Sequence, residues 1–104
     1  MEKKDISMKL SEFLNSIESD LEPLVHWSAE LKALWWLKKG DWGKAHDLAQ
    51  EAQTDQGDWI HAHLHRMEGD HGNASYWYSR ANKPHFRGDL TTEWNEIVIA
   101  LLNQ

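Results

Sequence analysis

An all-α fold of about six helices is what this sequence predicts, and three observations carry that expectation. Apolar residues recur at spacings of three and four in several separate stretches, and no stretch alternates convincingly with period two. Two short stretches, Gly40-Asp41-Trp42-Gly43-Lys44-Ala45 and Gly69-Asp70-His71-Gly72-Asn73-Ala74, match at four of six positions with an offset of 29 residues. Each has the chemistry of a turn between helices. Glycine closes one helix in a left-handed conformation, and the aspartate after it accepts hydrogen bonds from the free N–H groups opening the next. Finally, 104 residues with seven tryptophans and 40% apolar composition suffice for one buried core. The expected architecture is two stacked antiparallel helical hairpins with N- and C-terminal capping helices, a single domain over residues 1–104.

The elements follow in order. Ile6, Leu10, Phe13, Leu14, Ile17 and Leu21 share one face, so about residues 5–20 form a first amphipathic helix, stopped by Pro23. A second helix, about Ala29–Lys39, has Ser28 to cap its start and Gly40 its end. Leu31, Leu34, Trp35, Trp36 and Leu37 surround most of it, which places it between neighbours. The third, about Trp42–Gln53, carries a narrow stripe of Ala45, Leu48, Ala49 and Ala52 that permits close helix approach. Residues 54–57 read as a linker, and Asp58 as the cap of a fourth helix, Trp59–Glu68. The fifth, His71–Ala81, repeats the stripe as Ala74, Trp77, Tyr78 and Ala81. A loop over 82–88 contains Pro84 and Gly88, and a last helix, Thr92–Leu102, presents Trp94, Ile97, Val98 and Leu101.

Over residues 29–84 these hairpins resemble tetratricopeptide or Sel1-like repeats. Ala33, Trp36, Gly40, Ala45 and Ala52 follow the family order in one unit, and Ala62, Gly69, Ala74, Tyr78 and Ala81 in the other. Lys32 and His61 stand where the family usually has leucine, and the 29-residue period is shorter than the roughly 34 of the tetratricopeptide repeat. The run from Trp59 to Ala81 also resembles small bacterial proteins without an assigned activity. The resemblance implies a non-catalytic protein-interaction module whose first helices line a peptide groove.

Composition narrows the function. A net charge of −6 argues against nucleic acid or an anionic membrane as the main partner. The absence of cysteine removes disulfide and thiol chemistry. No apolar signal core or spanning run is present, so a cytoplasmic protein is expected. There is no glycine-rich phosphate loop or nucleophile elbow, so neither an enzyme nor a cofactor is implied.

Two binding readings compete. In the first, Lys32, Lys39, His61, His65 and Arg66 on the first helices of the two units form a cationic surface for an acidic peptide or protein segment, and self-association is open to such a stack. Tyr76 and Arg80, four apart on the side of the fifth helix away from its alanine stripe, make a second candidate surface, which Arg66, Lys83, His85 and Arg87 join if the loop folds back. In the alternative, His61 and His65 of His-Ala-His-Leu-His share a helix face and bind a metal ion or small ligand. Two histidines are half a zinc site, and Ala62 stands where the His-Glu-x-x-His form needs glutamate. His46, Asp47 or His71 complete it only if the fold brings them close. Otherwise His61, His65 and Glu68 form a solvated stripe. His63 falls inside the apolar arc, as a core histidine with one satisfied hydrogen bond does.

Overall fold

The computed structural model describes residues 8–104. Among them the chain forms six α-helices and no strand: α1 Leu10–Ser19, α2 Ala29–Lys39, α3 Trp42–Ala52, α4 Asp55–Met67, α5 His71–Ala81 and α6 Leu90–Leu102. Ile6, assigned to the first helix by its spacing, lies outside the described residues.

The paired turns form as their chemistry dictates. Gly40 and Gly69 adopt φ of 104° and 80°, a region that penalises any Cβ. Asp41 and Asp70 accept hydrogen bonds from the backbone N–H groups of Lys44 (3.0 Å) and Asn73 (3.3 Å). Helices α2 and α3 thus make one hairpin, α4 and α5 the other, and the two stack through α3 on α4 and α2 on α4.

Three helix starts differ from the expected ones: α1 begins at Leu10, leaving Met8 and Lys9 outside the helix expected from about residue 5, α6 begins at Leu90 rather than Thr92, and α4 begins before Trp59. Helix α4 begins at Asp55, because Thr54 rather than Asp58 is its cap, its hydroxyl accepting from the Gly57 N–H at 3.0 Å. Gly57, which reads as a linker residue, is buried in the first turn. A Cβ there would sit 2.7 Å from the Ala49 carbonyl oxygen, so glycine is what lets α4 start against α3.

Ala33, Ala45, Ala62 and Ala74 are fully buried, giving the close hairpin contacts their size predicts. The rest of the core includes Phe13, Ile17, Leu34, Trp35, Ile60, Leu64, Tyr78, Ile97 and Val98. Two tryptophans tie the caps to α2: the indole N–H of Trp35 donates to Ser16 Oγ of α1 at 3.0 Å, and that of Trp94 in α6 to the Leu34 carbonyl at 3.1 Å. Trp36 and Trp77, expected in the core, are half-buried at its edge.

The stacking leaves the two sides of the hairpins unlike. Helices α1 and α6 pack on α2, and α6 also packs on α4, so the first helices of both units are covered. On the other side α3 and α5 each pack on α4 but not on each other, and a groove runs between them with α4 as its floor.

Candidate metal centre and its groove

Three histidines meet on that floor. His61 and His65 lie one turn apart on α4, and His46 reaches them from α3. One ring nitrogen from each lies within 4.8 Å of the other two. The rings of His61 and His65 stack at 4.9 Å, with His46 edge-on to His61 at 4.5 Å. Tryptophans wall the group on both sides. Trp77 of α5 lies parallel to His61 with centroids 3.9 Å apart, and Trp42 of α3 stacks on His46 at 5.0 Å. Trp42 is itself fixed by its indole N–H, which donates to the Leu64 carbonyl of α4 at 3.2 Å.

The expected solvated stripe is therefore not solvated: His61 is 4% and His65 9% exposed. The reason is the groove itself, since α3 and α5 each lean an indole over α4. Burial, reinforced by the neighbouring His46 and His65, lowers the pKa of His61 to about 4, so its imidazole is neutral with a free lone pair at physiological pH. His65 Nδ1 lies 3.0 Å from Glu68 Oε1. With Nδ1–H donating to that carboxylate, the other nitrogen of His65 carries the lone pair, the carboxylate–histidine arrangement that orients metal ligands. Of the other candidate ligands, Asp47 points to solvent and His71 lies beside His85 at 6.3 Å, away from the cluster.

The cationic set is not gathered on one surface. Lys39 donates to the carbonyls of Ile17 and Asp20, tying α2 to the end of α1. Arg66 donates through Nε to Glu93 Oε1 at 3.2 Å. Lys32 is half-buried on α2. Tyr76 and Arg80 do pair, with Arg80 Nη1 donating to the Tyr76 hydroxyl at 3.4 Å and its guanidinium carbon 5.2 Å from the Trp77 ring centroid. The loop also folds back: His85 Nδ1 lies 2.9 Å from Ser75 Oγ, and Phe86 packs under Arg66.

A second polar cluster centres on Glu93 of α6, fully buried and not foreseen from the sequence. His63 Nδ1 lies 2.7 Å from Oε1, and the Tyr78 hydroxyl donates to Oε2. Burial alone would raise the Glu93 pKa. The bonds from His63 and Tyr78, with the charges of His63 and Arg66, outweigh it and hold the carboxyl below its ordinary value. The signal was available: Glu93 is four residues before Ile97, on the apolar face of α6, and His63 was a core histidine lacking a named partner.

No family model, curated protein or solved structure matches this chain. Among the described residues no helix is long and apolar enough to cross a membrane.

Proposed function

We propose that this protein binds a divalent transition-metal ion through His46, His61 and His65, with the remaining coordination position open to the groove. The observation that carries the proposal is the convergence of three imidazole nitrogens within 4.8 Å of one another. Neutral imidazole suits zinc, copper and nickel, and three histidines with an open fourth position are a familiar zinc ligand set. Packing alone gives no reason for the arrangement, because three adjacent imidazoles repel on protonation where apolar rings of similar volume do not. A tetrahedral zinc site sets its nitrogens about 3.3 Å apart, so small rotations of the rings close the set around the ion. His46, half-buried, is the least enclosed of the three. The two hairpins, Sel1-like in residue order, serve on this reading as the scaffold that holds α3 and α4 in register.

The test is calorimetry and elemental analysis of metal-free protein titrated with zinc. One equivalent is expected to bind, and at a free concentration a hundred times the dissociation constant it stabilises the fold by about 2.7 kcal/mol. Substituting His46→Ala should abolish binding, while His71→Ala, outside the cluster, should leave it intact. Zinc that neither binds nor raises the melting temperature would remove the proposal.

A further inference from the structure

The groove continues past the histidines. Gln50 stands one turn beyond His46 on α3, Asp58 nearly one turn before His61 on α4, and Arg80 nearly one turn beyond Trp77 on α5. With Gln53, Thr54 and Asp55 these residues line a cavity of about 460 Å³ that has His61 and Trp77 in its wall. That volume falls within the range of small-ligand sites. Because His61 belongs to both the histidine cluster and the cavity wall, an ion held by the cluster would lie beside the cavity.

The charges in the cavity make it conditional. Asp55 and Asp58 oppose the guanidinium of Arg80, and the formal charges of these three side chains leave the lining net negative by one. A divalent ion turns that into a net positive charge of one. Arg80 is poised rather than consumed. Its contact with Asp58 is a single long one, Nε to Oδ2 at 3.5 Å, and its side chain is 53% exposed. A guanidinium has five donors, so it retains enough to grip a carboxylate in the paired geometry arginine favours.

From this we infer that metal loading converts the groove into a carboxylate-binding site, in which a ligand carboxylate completes the coordination of the ion and Arg80, in the lining of the same cavity, holds the ligand. The inference rests on the metal reading above. The carboxylate belongs either to a free small acid or to the C-terminus of a peptide. In the peptide case Gln50, Gln53 and Thr54 offer partners for the backbone groups behind the terminus.

Cobalt(II) serves as the probe, because its visible spectrum reports a change of ligand directly. The cobalt-loaded protein is titrated with acetate, with succinate, and with a short neutral peptide carrying a free or an amidated C-terminus. The spectrum is expected to change with the carboxylates and the free peptide and not with the amidated one, and metal-free protein should bind none of them by calorimetry. Tighter binding of the free peptide than of acetate by about tenfold or more identifies a peptide terminus, and equal binding a small acid. Arg80→Gln, at an exposed position, should weaken carboxylate binding about tenfold and leave cobalt uptake unchanged. Cobalt uptake with a spectrum indifferent to every carboxylate, or an Arg80→Gln protein that binds them undiminished, overturns the inference alone. Failure to take up cobalt overturns the metal reading and this inference together.

Discussion

Replacing Glu93 by alanine should be among the most damaging single changes available to this fold. The carboxylate is fully buried and is approached by His63, Tyr78 and Arg66, whose own side chain is only 10% exposed. Arg66 Nη2 already has no hydrogen-bond partner, so the Nε bond to Glu93 is most of what offsets the burial of that charge. Removing one member of a buried pair leaves the other uncompensated and costs about 3–5 kcal/mol. For a domain of this size each kcal/mol is worth about 4–8 °C, so the melting temperature should fall by at least ~12 °C. Glu93→Gln keeps the volume and an acceptor for Tyr78 but removes the charge, and should cost less, about 1.5–3 kcal/mol. The double change Glu93→Leu with Arg66→Met, which removes both charges, should recover most of the loss. Far-UV circular dichroism melts of the four proteins are the assay. A Glu93→Ala protein melting within about 4 °C of the parent would mean that the network contributes nothing beyond solvated charge.

Two further outcomes are expected. Ala45→Leu, at a fully buried crossing of α3, should overpack the hairpin and destabilise it by about 1–3 kcal/mol, read as a lower urea midpoint at unchanged slope. On acidification, His61 has a folded pKa of about 4 against an ordinary 6.5, so its contribution is complete above 6.5 and is lost as pH falls towards 4. Of the groups facing it, His46 from α3 and His65 from α4 disfavour its charged form, Arg80 from α5 is charged throughout, and Asp58 attracts the new charge. Glu93, held below 4.5, adds its loss only at lower pH. The melting temperature should therefore decline between pH 6.5 and 4 and do so less steeply in His61→Gln; equal profiles would assign the decline elsewhere.

The fold was legible where local chemistry decides it. The Gly-Asp turns needed only a left-handed residue and an acceptor, and both are sequence-local, so α2, α3 and α5 fall within a residue of their expected ends. Gly57 misled because its role is not local. It reads as a breaker, yet its missing side chain is what the Ala49 carbonyl requires across the α3–α4 contact. Trp36 and Trp77 misled for a related reason, since a stripe fixes which face of a helix is apolar and not whether a neighbour covers its edge.

The candidate site was legible in half. The i, i+4 relation of His61 and His65 follows from helix geometry, and their pairing on one face needed no structure. Everything that turns the pair into a cluster depends on how the hairpins stack. His46 is 15 residues upstream in another unit, and only the packing of α3 on α4 sets its nitrogen beside theirs. The burial of the histidines has the same origin. The expectation from sequence is that α2 and α4 face an open groove, but α1 and α6 pack on that side, through Trp35, Trp94 and the Glu93 network. The open groove therefore lies between the second helices, over the one face of α4 that carries His61 and His65. Among the described residues, capping helices shut one side of α4 and the lack of α3–α5 contact opens the other, and together these leave its histidine face as the floor of the groove.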